Sequence, residues 1–423
     1  MSSSPRSVEE HLASILAVTA PLPAIEVPLL DALDLAVCED LVAPMELPRF
    51  DNSAMDGYAV HHADVVTASD DSPVRLPVVG EIGAGQAGAA AGRGVTSLPE
   101  GAAAKIMTGA PLPAGADCVV PYEWTDRGTR EVSIAQAPNL GQHLRYAGED
   151  IEIGDLLVAA GTRLGPRHLG LLASVGMPSV RVRPRPRVVI VSTGSELREP
   201  GTELGRDSIY DGNSFLLAAA VRRAGAEPHR VGLVPDEPEA LLAALDDQLS
   251  RADVVVTSGG ISMGDYDVVK EALTPLGSVW FGPVAMQPGK PQGFGTLSPR
   301  SGAGVGVPFF ALPGNPVSSY LSFEVFVRPA LRRMMGLTPE SRSPVTARLT
   351  HRVGSPQGRR QFLRGVLTLD SDGATVAEVE PVGGSGSHLV GDLAASDALI
   401  VVPEDVTEIA AGDRVTVIRL DQD

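Results

Sequence analysis

The chain has 423 residues, more than one hydrophobic core usually organises, so about three domains are expected. Its 52 acidic residues outnumber 34 Lys and Arg, a formal charge of −18, which excludes broad electrostatic binding to nucleic acid or an anionic membrane. Any anionic ligand must then be held by local donors. The apolar runs are short and broken by Pro or Gly, and the first residues lack an apolar core followed by a cleavage site, so a cytoplasmic protein without a membrane span is expected. Cys38 and Cys118 lie far apart with no Cys or His at ligand spacing, which argues against a disulfide framework or a structural zinc site.

In chain order, Ser7 and Glu10 have capping-box spacing ahead of apolar residues at helical intervals, predicting an amphipathic helix over 7–19. Short β-like runs at 75–82, 94–98, 105–108, 117–122 and 132–135, separated by Gly-rich turns, predict a small all-β module at about 46–145. A helical pattern returns at 166–176. The element 146–183 is expected to pack against the N-terminal helix, which would make the first domain discontinuous, and 181–187 reads as a basic, Pro-interrupted linker. From 186 onward strands and helices alternate: strands at 188–191, 231–234, 253–257, 279–284 and 309–312, and helices from Asn213, taken as a cap, to Gly225, at 238–250, at 266–274 and at 316–335 with Pro329 as a kink. This predicts a parallel-sheet α/β domain of about 150 residues. Beyond Pro339 a period of two at 345–349, 364–369, 375–379, 398–402 and 414–420 predicts a C-terminal β-barrel or sandwich.

Three glycine-bounded turns follow apolar runs in the α/β part, at 191–196, 257–267 and 312–318. Loops at the carboxyl ends of strands in such a sheet converge on one crevice, and Gly leaves backbone N–H groups free to approach an anion, so these turns describe a phosphate-binding pocket. Asp211, Asp236 and Asp267 each follow a strand or turn on the same presumed edge, with Asp265 and Asp267 at the start of the next helix and Glu196 at the rim. Carboxylates beside a phosphate cradle favour Mg2+, although acidic residues at a helix start also serve as caps. Two prolines rigidify the turn that presents Lys290, a candidate holder of a second oxyanion, and Ser318 faces the crevice from the first turn of a helix. Arg359, Arg360 and Arg364 form a basic cluster that could equally be paired at the surface. The glycine spacing at 83–88 lacks the helix and the acidic residue of a dinucleotide site, Lys290 is followed by Pro and so makes no P-loop, and His61 and His62 would point apart on an extended chain. The polar segments 50–59, 105–113 and 148–151 read as exposed turns.

Together, segments 50–59, 106–111, 148–151, 193–197, 258–267, 288–291 and 312–318 resemble, in order over essentially the full length, the molybdopterin molybdenumtransferases, bacterial counterparts of the gephyrin E domain. The resemblance implies an elongated homodimer with four domains: a discontinuous N-terminal domain (1–45 and 146–183), a small β domain (46–145), a molybdopterin-binding parallel-sheet α/β domain (184–336) and a C-terminal β-barrel-like domain (337–423). It implies Mg2+-assisted insertion of molybdate into adenylylated molybdopterin with release of AMP, in a cleft between the α/β domain of one subunit and the β domain of the other. Possible further partners are the upstream adenylyltransferase and acceptor molybdoenzymes. Carried onto this chain, Thr193, Gly194, Ser195, Asp211, Asn213, Ser258, Gly259, Gly260, Ser262, Gly264, Pro313, Gly314, Asn315 and Pro316 would bind the pterin nucleotide. Glu196, Asp236 and Asp267 would position metal and ligand, and Asp56, Thr108 and Asp150 would close the site from the partner. Lys290, Ser318, Arg364 and Ser387, with Gln287, would hold molybdate. Many members of the family carry Lys where this chain has Gln287, which predicts weaker capture of the dianion or a taste for another oxyanion such as tungstate. An adenylyltransferase acting one step earlier and a non-catalytic dimeric scaffold are the rival assignments.

Overall fold

The computed structural model describes residues 4–85, 95–261, 267–298, 306–368 and 377–421. The chain forms two compact units, one from 1–39, 160–165 and 179–423 and the other from 40–159 and 166–178.

The larger unit is built on a six-stranded sheet in the order Glu227–Val234, Arg187–Thr193, Val254–Ser258, Val307–Leu312, Pro291–Leu297, Val279–Pro283. The first four strands are parallel, as the alternation of strand and helix predicts. The last two are antiparallel to their neighbours, so the sheet is mixed. The central strands are buried on both faces, which is why Val188 to Val191 and Val254 to Val256 are uninterrupted aliphatics. Helices cover the two faces, Asn213–Arg223 and Pro316–Ser322 contributing to one core cluster and Pro238–Leu249 and Val268–Leu273 to another. Strand order reverses at Arg187–Thr193, whose neighbours lie on opposite sides, and this switch point fixes where a crevice opens.

The capping box is present, Glu10 N–H donating to Ser7 Oγ at 3.0 Å and Ser7 N–H to Glu10 Oε2 at 2.8 Å, and it starts the helix Val8–Val18. The partner of this helix is not the segment 146–183: Val8 and Ile15 belong to the α/β core, and His11 lies against Trp280, Phe294 and Phe326. Aromatic residues of the sheet edge present the apolar surface that its face needs, whereas 25–28 pairs with 179–182 as a separate antiparallel ribbon. The long helix near 316–335 is continuous, with a π-helical turn at Phe323–Val327 between Pro316–Ser322 and Arg328–Met334; the wider turn accommodates the missing N–H of Pro329 where a kink was expected.

C-terminal to it, five strands close into a barrel: Arg360–Thr368, Glu378–Pro381, Pro344–Leu349, Arg414–Arg419 and Ala398–Val402, which returns to Arg360–Thr368. Met286–Gln287 adds to Arg360–Thr368 in parallel, placing Gln287 opposite Gln361.

The smaller unit holds a five-stranded sheet in the order Cys118–Pro121, Gly57–Val60, Ala103–Ile106, Val74–Ile82, Glu131–Ile134, with Tyr58, Val120 and Ile134 in its core, and the helix Pro166–Ser174. The run at 95–98 contributes only a bridge, Ser97 to Ala114. Both cysteines are free. Among the described residues no helix is long and apolar enough to cross a membrane.

Candidate active site

At the carboxyl ends of Arg187–Thr193 and Val254–Ser258 the larger unit opens a cleft of about 640 Å3. Thr193, Gly194, Glu196, Asp211, Asn213, Asp236, Ser258, Gly259, Gly260, Asp267 and residues 313–316 all line it, so the structure brings together nearly every residue of the α/β part that the sequence nominates. Ser195 joins them through its backbone, its N–H donating to Asp236 Oδ2 at 2.7 Å. Ser262, Gly264 and Asp265 lie outside the described residues.

The glycines are dictated by close approach. Gly259 has φ +98° and a Cβ there would sit 3.0 Å from the Thr193 carbonyl oxygen; Gly260 has φ +67° and its Cβ would come within 2.8 Å of Val269 Cγ2. The turn thus packs flat against the neighbouring strand end and the next helix. Asn213 is not a cap but the first residue of Asn213–Arg223, and its side-chain amide donates to Ser258 Oγ at 2.9 Å and to the Gly314 carbonyl at 2.6 Å. It ties two of the three turns together across the cleft. The capping role falls to Asp211, whose Oδ1 accepts from Ser214 N–H at 3.0 Å while Oδ2 stands 4.0 Å from Arg230. Asp211 is therefore a buried structural carboxylate that also walls the cleft. The hydroxyls of Ser192 and Thr193 are buried without a hydrogen-bond partner among the described residues, as donors waiting for ligand oxygens would be. Ile209, Tyr210, Leu216 and Val390 also line the cleft and escaped sequence reasoning, because Ile209–Tyr210 is a two-residue strand too short to show a period and Val390 arrives from the C-terminal region.

A second group of predicted residues meets where the sheet joins the barrel. Val317 N–H donates to the Ser387 carbonyl at 3.0 Å, which seats the 387 segment on the first turn of the helix that carries Ser318. Arg364 is buried and donates to the carbonyls of Gly386, at 3.1 Å, and Gly384, so part of its fork shapes the loop bearing Ser387. Its Nε has no hydrogen-bond partner among the described residues. Burial pulls the Arg364 guanidinium down from its ordinary value, and Asp392 at 3.8 Å works against this. Pro291, next to Lys290, reaches the cleft wall, and Gln287 Oε1 is buried without a hydrogen-bond partner among the described residues.

In the smaller unit, the segments containing Asp56 and Thr108 are joined, while the segment of Asp150 bonds to the chain around Leu47. Thr108 donates to Asp56 Oδ1 twice, from N–H and from Oγ1, each at 2.7 Å, and these bonds hold the exposed Asp56 carboxyl below the usual carboxylate range. Gly109 N–H and Ser53 N–H link 53 to 109–110, and Asp150 N–H donates to the Leu47 carbonyl at 3.0 Å. Three separate stretches of sequence thus present polar groups from one unit.

Comparison with known proteins fits this geometry. Residues 6–176 match the model of the MoeA N-terminal region (domain I and II), 189–333 that described as "Probable molybdopterin binding domain", and 346–420 that of the MoeA C-terminal region (domain IV). The chain is 44% identical over 418 residues to molybdopterin molybdenumtransferase 2 of Mycobacterium tuberculosis, covering 97% of this chain and 99% of that one. The chain belongs to the molybdopterin molybdenumtransferase family. The family member of Haemophilus influenzae is 34% identical, with 92% of this chain and 91% of that protein covered. A crystal structure of the molybdopterin biosynthesis MoeA protein from Pyrococcus horikosii superposes with a TM-score of 0.82 at 34% identity, over 99% of this chain and all of that one (100%).

Proposed function

We propose that the chain is a cytoplasmic transferase of molybdenum cofactor biosynthesis that inserts molybdenum from molybdate into the dithiolene of adenylylated molybdopterin and releases AMP. The observation that carries this reading is the joined cradle of Thr193, Ser258 to Gly260 and Gly314, opening on the same side as the Lys290 turn and the Ser387 loop. One region suits a phosphorylated nucleotide and the other a small oxyanion, and the reaction needs both substrates together. The four-domain division expected from the resemblance belongs to the same proposal.

The cradle would hold the pterin phosphate and nucleotide through backbone N–H groups and the free hydroxyls of Ser192 and Thr193. Molybdate is a dianion, and Lys290, the spare Arg364 N–H and the hydroxyls of Ser318 and Ser387 offer charge-assisted and neutral donors for its oxygens. Among the described residues no three acidic, His or Cys side chains are gathered so as to hold a metal ion by themselves. Mg2+ is commonly held by one or two carboxylates plus substrate phosphates, and Glu196, Asp236 and Asp267 are the cleft carboxylates that would do so. When bound, the ion would offset negative charge on the leaving AMP. The Ser195 N–H bond to Asp236 Oδ2 would orient that carboxylate in the cleft. The dithiolene sulfurs would displace an oxygen of molybdate, which leaves as water with the two thiol protons, and a water molecule would cleave the anhydride to release AMP; Asp56, Thr108 and Asp150, supplied by the second copy in a homodimer, would orient the reacting groups.

Gly260→Ala tests the cradle directly. The added Cβ meets Val269, so affinity for adenylylated molybdopterin, read by fluorescence titration, should fall by at least about tenfold, the equivalent of about 1.4 kcal/mol. Unchanged binding in a folded variant would remove the turn from the site.

A further inference from the structure

Arg230 lies in the middle of the edge strand Glu227–Val234, and its guanidinium gathers neighbours from three stretches of the preceding chain. Nε donates to Ser214 Oγ at 2.8 Å, and Nη2 donates to both carboxylate oxygens of Glu199, at 2.8 and 3.2 Å. The same group stands 4.0 Å from Asp211 Oδ2 and stacks on the Phe215 ring, with Cζ 3.7 Å from the ring centroid. Ser214 and Phe215 belong to the first turn of Asn213–Arg223, Asp211 accepts from the Ser214 N–H of that turn, and Glu199 begins an excursion of the chain.

The excursion, 199–208, links the short strands Leu197–Arg198 and Ile209–Tyr210, which pair in parallel over two residues each. These strands carry Leu197, Ile209 and Tyr210 to the wall of the main cleft. Little apolar burial fixes them there: Leu204, Ile209 and Tyr210 are exposed, and of 199–210 only Ser208 is buried. The side-chain hydrogen bonds within the excursion are local, from Tyr210 Oη to the Thr202 carbonyl at 2.9 Å and from Gly205 N–H to Ser208 Oγ at 2.7 Å. Among the described residues, Glu199 with Arg230 is the ion pair that ties this segment to the sheet. An exposed ion pair stabilises little when two flexible side chains must be ordered to form it. Here stacking on Phe215 and the bond to Ser214 already hold the guanidinium in one orientation, so less entropy is lost in meeting Glu199.

We propose that Glu199 and Arg230 are positioning residues of the main cleft, their ion pair holding Leu197, Ile209 and Tyr210 where adenylylated molybdopterin meets them. This rests on the reading of that cleft as the site for this substrate. Neither side chain lines the cleft, so both act through the wall they fix.

Glu199→Gln in the full-length protein tests this, because it severs the ion pair while leaving Arg230 beside the buried Asp211. Adenylylated molybdopterin, titrated by fluorescence, should bind about tenfold more weakly, with the molybdate KM and the melting temperature unchanged. The Ile209 and Asp211 amides, which donate to the Glu196 and Arg198 carbonyls at 2.9 Å each, should exchange their hydrogens about tenfold faster in the substrate-free variant. Arg230→Lys, which keeps the charge and loses the planar fork, should fall between parent and Glu199→Gln in both readouts. If the parent itself does not bind adenylylated molybdopterin, the reading of the cleft falls and this inference with it. If the parent binds and Glu199→Gln binds equally well, or exchanges the two amides at the parent rate, the inference alone is overturned. A lowered melting temperature with both KM values raised alike would also overturn it, since that is the mark of a merely structural pair.

Discussion

Asp56 shows how much can rest on one exposed side chain. Two hydrogen bonds from Thr108 fix one carboxylate oxygen and keep the group ionised, leaving the other oxygen to face solvent. Since no core contact depends on it, Asp56→Ala should keep the parent's melting temperature and lose turnover; AMP release at the parent rate would refute its part in the reaction. Gln287 makes the opposite case, a neutral amide whose Oε1 is buried without a hydrogen-bond partner among the described residues. Gln287→Lys would add a charged donor beside the Lys290 turn and should lower the molybdate KM by up to about tenfold, the worth of one charge-assisted hydrogen bond. An unchanged KM would mean that position 287 does not sense the oxyanion. Asn213 and Arg364 show what the sequence could not reveal. Asn213 sits where a helix cap is plausible, and only the fold turns its amide inward to link Ser258 and Gly314. Arg364 belongs to a basic cluster legible in the sequence, but its use in holding the 384–387 loop depends on chain that returns twenty residues later.

At the scale of elements, strands that end in glycine turns were legible because burial on both faces demands unbroken aliphatics and the turn demands Gly, and both requirements leave marks in the sequence. The antiparallel edge was not. In Pro291–Leu297, Gly293 and Gly295 interrupt the apolar pattern, since a Cβ at Gly293 would come within 2.6 Å of the Phe281 ring and one at Gly295 within 2.1 Å of the Ser278 carbonyl. The N-terminal helix was legible from its capping box, but not its docking partner. That docking has a measurable consequence, because it buries His11 among aromatic rings. Burial, helped by the charge of Arg6, pushes the imidazole down to about 3 from an ordinary 6.5. The unfolded chain therefore takes up a proton below about pH 6.5 that the folded chain refuses until about 3, so stability is full above this window and falls as pH drops through it. At pH 5 the loss should be about 2 kcal/mol. Urea unfolding at pH 7 and pH 5 checks this: His11→Phe should remove most of the difference, and an equal drop in both proteins would show that other groups cause it.

For the whole molecule, the composition excludes polyanion binding over a broad surface, so on the proposed reading an acidic chain must meet its anionic substrates with local donors. On that reading the anions are met by the cradle of glycine N–H groups, the Lys290 turn and the Ser387 loop, in a chain whose acidic residues outnumber its basic ones 52 to 34. The central claim is that these parts act on two substrates in one reaction, and the most direct measurement is AMP release from adenylylated molybdopterin with Mg2+, with and without molybdate. The account predicts release that requires molybdate and yields a product able to activate an apo-molybdoenzyme. Release indifferent to molybdate, or accumulation of adenylylated product from molybdopterin and ATP, would contradict it.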